Sequence, residues 1–106
     1  MAFKIFLSQR STNRNVTNTN TNDPYWRAFA SALAEEGCEY RKEIFTAGTD
    51  SRFVRKLGYR AIGFSPMTNT KVLLHDHDEC IHEKVFLRGI QIYATIIDNL
   101  GNLPAE

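Results

Sequence analysis

The hydrophobic positions change period several times along the chain, and each change predicts an element. Residues 1–7 alternate in part, with Phe3, Ile5 and Leu7 apolar, which predicts a short edge strand. Residues 8–22 have no period: they are mostly Ser, Thr and Asn with two arginines, ending in Thr17-Asn18-Thr19-Asn20-Thr21-Asn22. Such side chains bond their own backbone, so the stretch reads as a linker. A helix is expected from Asp23-Pro24, because aspartate is a good N-cap and proline loses nothing in a first turn. Trp26, Phe29, Ala30 and Leu33 then recur at helical spacing until Gly37 stops the run. That stripe reads as core, with a ligand-lining role for Tyr25 and Trp26 as the alternative. Residues 38–46 read as a strand whose apolar content is Tyr40, Ile44 and Phe45, and Arg41-Lys42-Glu43 suggests an edge.

Thr49 or Asp50 is expected to cap a short helix carrying Phe53, Val54 and Leu57 and ended by Gly58. Residues 61–64 read as a short buried strand and 65–70 as a loop. After the apolar run 72–74 comes a turn, then helical periodicity over about residues 79–100, with Ile81, Val85, Phe86, Ile90, Ile92, Ile96 and Ile97 among its apolar positions. The stripe is wide enough to predict that most of the circumference is buried. Gly89 costs about 1 kcal/mol there against alanine, and close packing on a sheet is the expected reason. Gly101 and Pro104 end the helix. The order helix-strand-helix-strand-loop-helix is an α/β layer pattern. Two or three short strands cannot cover so apolar a final helix, which predicts a segment that docks on something larger.

Composition narrows the function classes. Thirteen Lys and Arg against twelve Asp and Glu, interspersed, give a net charge of +1 and no argument for nucleic acid or an acidic membrane as partner. Cys38 and Cys80 lie far apart with no Cys-x-x-Cys, which predicts reduced thiols and an intracellular setting. No stretch is apolar enough to span a membrane, and the short apolar run at residues 1–7 contains Lys4, unlike a signal peptide. The sequon Asn15-Val16-Thr17 is then idle.

The chemistry is concentrated in residues 73–83, where seven of eleven residues are His, Asp or Glu, including every histidine in the chain. Neutral imidazole and carboxylate are good zinc ligands and the usual general acids and bases. If the piece is extended, alternation puts His75 and His77 on one side and Asp76 and Asp78 on the other. The competing explanation is capping: Asp76 with Glu79 fits a capping box, Asp78 fits an N-cap, and acids in a first turn favour the dipole. Capping explains the acids but not His75 or His77, so one of the two is expected to be a metal ligand. The spacing does not choose between them. A second candidate is the turn at Gly48-Thr49-Asp50-Ser51-Arg52. A cation in a first helical turn opposes the dipole, while a guanidinium matches a carboxylate in bidentate geometry. A solvated arginine is the alternative.

Four ordered runs carry a resemblance: Gly48-Thr49-Asp50-Ser51-Arg52-Phe53, Gly63-Phe64-Ser65-Pro66-Met67, Leu73-Leu74-His75-Asp76-His77-Asp78-Glu79 and Val85-Phe86-Leu87-Arg88-Gly89. From residue 23 to about residue 100 the chain resembles the C-terminal portion of the aminoacylase I family. That family lies within a wider group of dinuclear-zinc hydrolases that includes carboxypeptidase G and succinyl-diaminopimelate desuccinylase. The resemblance divides the chain into an unmatched stretch with its linker, 1–22, and a partial zinc-hydrolase catalytic domain, 23–106. It implies an N-acyl-L-amino-acid amidohydrolase, cytoplasmic, homodimeric when full length, with two zinc ions. In the wider family the last metal ligand is the histidine of a His-x-x-x-Glu pattern, which here fits His75 with Glu79. The threonine-aspartate-x-arginine motif lies at the family's substrate site, so the resemblance implies that Arg52 holds the substrate carboxylate and that Thr49 shapes the pocket beside it. The family's remaining ligands and its general base come from motifs that the resemblance does not assign to this chain, so no catalytic residue is expected in it. The isolated chain is therefore expected to be inactive without the missing N-terminal catalytic half. Two other readings stand: a non-catalytic module that pairs with a full-length relative, and a self-contained metal domain using His75, His77 and His82. The third requires the helix not to separate His82 from the other two.

Overall fold

The elements follow in the order β1 (Ala2–Gln9), α1 (Pro24–Glu35), β2 (Glu39–Phe45), α2 (Ser51–Lys56), β3 (Gly63–Phe64) and α3 (Glu83–Gly101). This computed structural model describes residues 2–9, 17–45 and 48–105, with backbone alone for 2–9 and 45. The expected α/β order therefore holds over α1 to α3, with β1 ahead of it. The linker expected over 8–22 lies partly outside the described residues; 17–22 carry turns and irregular backbone.

The strands form one sheet in the order β2-β1-β3, with β1 parallel to β2 and antiparallel to β3. β2 lies at an edge, as its charged run suggests. β1 does not: it is the central strand, bonded on both sides, which corrects the edge expectation for residues 1–7. The reason is tertiary. Parallel pairing needs a long crossover, which α1 supplies between β1 and β2. β3 has only two residues and pairs with β1 at Ile5 and Phe6.

α1 shows why local signals suffice for one helix. Asp23 Oδ1 accepts from the N–H groups of Tyr25 at 2.9 Å and Trp26 at 3.1 Å. At the other end Gly37 has φ +68°, Gly37 N–H donates to Ala34 O and Cys38 N–H donates to Leu33 O. Those two bonds satisfy carbonyls that the helix leaves open, and only glycine adopts that φ at no steric cost. Trp26, Phe29, Ala32 and Leu33 are buried. Trp26 meets Tyr40 of β2 and Phe29 meets Phe64 of β3, both edge-to-face, so α1 lies on the sheet.

α3 packs antiparallel to α1. Arg88 donates to Glu36 Oε1 at 2.9 Å and to Glu36 O at 2.6 Å, while Asn99 donates to Ala28 O at 3.4 Å. Ile92 and Ile96 complete the core with the α1 residues, and Tyr93 Oη donates to Phe64 O at 2.6 Å. The helix starts at Glu83 rather than residue 79, and His82 is its N-cap, its ring nitrogen Nδ1 accepting from Lys84 N–H at 3.1 Å. The expectation that α3 is buried over most of its circumference is overturned: among its residues only Gly89, Ile92 and Ile96 are buried. Phe86, Leu87, Ile90 and Ile97 are exposed. One neighbouring helix and a three-stranded sheet cover one face of it and no more. Gly89 also has a different reason from the expected one. A Cβ there would sit 3.0 Å from Pro66 Cγ, so it is the loop after β3, not the sheet, that approaches.

α2 departs most from its pattern. Phe53, Val54 and Leu57 are exposed, Leu57 at 76%, whereas Arg55 is buried at 6%. Of the two expected caps, Asp50 occupies the N-cap position without a side-chain cap bond, while Thr49 Oγ1 accepts from the N–H of Ser51, the first residue of the helix. Gly58, with φ +90°, ends the helix as expected, its N–H donating to Arg55 O.

Asp23 links α1 to the chain beyond α2, because its Oδ2 also accepts from Arg60 Nε at 3.3 Å. Burial pushes the Asp23 carboxyl up, but the Trp26 and Tyr25 N–H groups and the Arg60 charge outweigh this and hold it below its ordinary value. Asp23→Ala is expected to cost about 1–2 kcal/mol through the lost cap, read as a lower urea midpoint. A carboxyl whose folded-state value is depressed stabilises above its unfolded value of about 4 and loses that contribution as pH falls through the folded value. Asp23→Asn is expected to keep most of the cap and flatten this acid limb. An Asp23→Asn protein with the original acid dependence would refute the assignment.

Candidate functional site

The histidine-rich piece is a turn, not an extended segment. Leu74 to Asp78 form successive turns, and His75 and Asp78 take positive φ, +60° and +56°. The alternation that would put His75 and His77 on one side therefore does not apply. The Asp76 N–H donates to Leu73 O at 2.9 Å, closing the first turn, and the His77 N–H donates to Asp76 Oδ1 at 2.7 Å. Glu79 Oε2 accepts from the His75 N–H at 3.3 Å. Asp76 and Glu79 thus serve the turn with their side chains and Asp78 with its backbone, and none of the three caps α3. The left-handed region is uncommon for residues other than glycine, though aspartate and histidine enter it more readily than most. His75, His77 and the acids of the turn are exposed. The Glu79 contact keeps the two ends of the His-x-x-x-Glu spacing together through the backbone and leaves the His75 ring outside that bond.

The second candidate group lies at the start of α2. Thr49 Oγ1 and Ser51 Oγ are 2.7 Å apart, and the Ser51 N–H donates to Thr49 Oγ1 at 3.2 Å. Arg52 is exposed, its guanidinium resting over the Phe53 ring at 4.7 Å from the centroid. A Cβ on Gly48 would stand 3.1 Å from Arg52 Nη1, so the glycine gives the guanidinium its room. Among the described residues Arg52 has no carboxylate within ion-pair distance, and no hydrogen bond or ion pair joins it to His75. The two candidate groups are separate features of this chain.

Sequence reasoning passed over Arg55. Its Nε and Nη2 both donate to Ala61 O, at 3.2 and 2.6 Å, its Nε reaches Thr17 Oγ1 at 3.4 Å, and its Nη1 donates to Ser51 Oγ at 3.1 Å. Burial pulls this guanidinium below its ordinary value. The available signal was spacing: Arg55 lies one helical turn beyond Arg52 and on the side of Ser51.

Other expectations for the chain's surroundings can be placed. Cys38 and Cys80 are both free thiols, Cys80 exposed. Among the described residues no helix is long and apolar enough to cross a membrane. Also among them, no three His, Cys, Asp or Glu side chains come together as a group able to hold a metal ion. Beside α3, an apolar groove of about 480 Å³ runs between Pro66, Met67, Ile81, Phe86 and Ile90.

Comparison with known proteins places this arrangement. Residues 7–99 match the model of peptidase family M20/M25/M40, so the match takes in part of the stretch that the four motifs leave out. The chain is 48% identical over 99 residues to Aminoacylase-1A of Rattus norvegicus, covering 93% of this chain and 24% of that protein. It is 44% identical over 99 residues to Aminoacylase-1 of Homo sapiens, with the same coverage of each. Against Aminoacylase-1 of Dictyostelium discoideum it is 47% identical over 88 residues, 83% of this chain and 22% of that one. The chain thus spans about a quarter of the length of these relatives. A family match over nearly all of the chain, and relatives sharing almost half its residues, establish that it belongs to peptidase family M20/M25/M40.

Proposed function

We propose that this chain is the C-terminal part of an aminoacylase-like amidohydrolase that converts N-acyl-L-amino acids to a carboxylate and a free amino acid. The similarity to aminoacylases across almost the whole chain carries the reading. The half-covered α3 supports it, because an apolar helix face of this extent suits a larger catalytic domain. In that domain Arg52 holds the substrate carboxylate and Thr49 shapes the pocket beside it. Two features at the turn favour this role: an exposed guanidinium without a carboxylate partner among the described residues, and a glycine that makes room for it.

The zinc that the family resemblance implies does not fit this chain taken alone. A catalytic zinc needs about three protein ligands, and the described residues assemble no such group. His75 is proposed as one ligand, the others coming from outside this chain, and no reaction step is assigned to this chain's own side chains. Cytoplasmic location and homodimer formation belong to the same proposal for the complete enzyme.

The test places this chain in a full-length setting, in the position of the segment it matches in the rat relative. His75→Ala is expected to lower zinc content and abolish hydrolysis of an N-acetyl-L-amino acid. Arg52→Ala is expected to leave zinc in place and lower kcat/KM by about 2–5 kcal/mol, the cost of a lost buried charge pair. Arg52→Lys restores only part, since an ammonium cannot reproduce the guanidinium fork. His77→Ala should do less than His75→Ala in both assays. Loss of metal in His77→Ala with retention in His75→Ala would reject the assignment of the ligand. A chimera that folds and binds zinc but hydrolyses no N-acyl amino acid would reject the function.

A second expectation concerns the chain by itself. Titration with zinc should give no saturable one-to-one binding, and the pure chain should show no turnover. Turnover from the pure chain would mean that it holds a complete site.

A further inference from the structure

Phe53 is a large aromatic residue for which the fold has no evident use. It is exposed, lies outside the buried core and meets no other ring among the described residues. What its face carries is the Arg52 guanidinium, whose central carbon stands 4.7 Å from the ring centroid. Consecutive residues of a helix do not share a face. The arginine side chain must therefore reach sideways to cover this ring, and helical spacing alone does not bring the two together.

Gly48 bounds the same guanidinium. A Cβ there would stand 3.1 Å from Arg52 Nη1, so the guanidinium occupies space that a side chain at residue 48 would crowd. The two arginines of α2 are thus held in opposite ways. The N–H groups of Arg55 go to Ala61 O, Thr17 Oγ1 and Ser51 Oγ. The Arg52 guanidinium makes no hydrogen bond or ion pair among the described residues. A ring attracts a cation through its π electrons and offers the N–H fork no oxygen. An arriving carboxylate then meets a guanidinium that is already oriented and whose donors no oxygen holds. Fixing a rotamer-rich side chain before binding removes part of the entropy that binding would otherwise cost.

We propose that Phe53 is a positioning residue that holds Arg52 for the substrate carboxylate, an assignment that rests on the substrate reading of this turn. It touches no substrate itself: the ring carries the arginine, and the arginine meets the carboxylate.

Two variants separate this role from packing. Phe53→Leu keeps apolar bulk for any surface that covers α2 and removes the π face. Phe53→Trp keeps the face. In the chain as it stands, nuclear magnetic resonance is the first readout. The δ-methylene protons of Arg52 are expected upfield under the ring current, to move downfield in Phe53→Leu and to stay upfield in Phe53→Trp. In the full-length setting Phe53→Leu should raise KM for an N-acetyl-L-amino acid about two- to fivefold, the size of an exposed cation–π contact. Zinc content and kcat should stay as they are, Phe53→Trp should restore KM, and KM for the carboxamide analogue should not move. In an Arg52→Ala background, Phe53→Leu should have no further effect.

Arg52 protons that do not respond to Phe53→Leu would overturn the proposal. So would a Phe53→Trp enzyme as impaired as Phe53→Leu, or an undiminished Phe53→Leu effect in the Arg52→Ala background. Equal KM changes for the carboxylate and carboxamide substrates would overturn its link to the carboxylate. An Arg52→Ala enzyme with unaltered KM would instead remove the substrate reading beneath it, while the Arg52 proton shifts would still support Phe53 as the residue that carries the guanidinium.

Discussion

The antiparallel contact between α1 and α3 is what the rest of the chain hangs on. Leu33 and Ile92 are its largest fully buried side chains, and Trp26, Phe29, Ala32 and Ile96 close around them. Burying a side chain of this size is worth roughly 1.5–3 kcal/mol, and the core buries several together. The sheet joins this core through rings: Tyr40 on Trp26 from β2, and Phe64 between Phe29 and Tyr93 from β3. Both candidate groups lie outside it. The start of α2, with Thr49 and Arg52, and the turn at His75 lie beyond this core, and each is held by hydrogen bonds of its own.

That division explains what could be read from the sequence. α1 was legible in all but one position of its stripe, where Ala32 rather than Ala30 is fully buried, because its cap, its large apolar residues and its terminal glycine are all local and all agree. The start of α3 was not. Asp76, Asp78 and Glu79 have the spacing of caps, but the left-handed backbone at His75 and Asp78 turns them back onto the loop. His82, which no capping preference favours, takes the position instead. In α2 the apolar residues pointed to the wrong face, because with six residues a helix follows whichever side chain finds a partner, and here that was Arg55. The central place of β1 depends on which strands return to it from far along the chain, which alternation cannot express. The candidate site was legible only in its residue types. Neither histidine could be preferred from spacing, and the preference for His75 came from resemblance.

Arg52 and Arg55 show why the residue that looks costly is the informative one. They lie three apart on the same short helix, Arg52 in the first turn, where a cation opposes the dipole, and Arg55 in the last, where a cation is favoured. Arg55 is compensated: a carbonyl and two hydroxyls offset the cost of burying its charge and account for it as a fastening of the fold. Arg52 has no such account. It is exposed, it rests on its own neighbour's ring, and glycine stands at residue 48 where any side chain would crowd it. Local choices in a folded sequence mostly agree with the fold, and those that cost something without structural return tend to mark function. By that criterion the arginine the fold uses and the arginine it merely tolerates divide the labour of the turn. Arg55 fastens the helix to Ala61, and Arg52 is the residue proposed for the substrate contact.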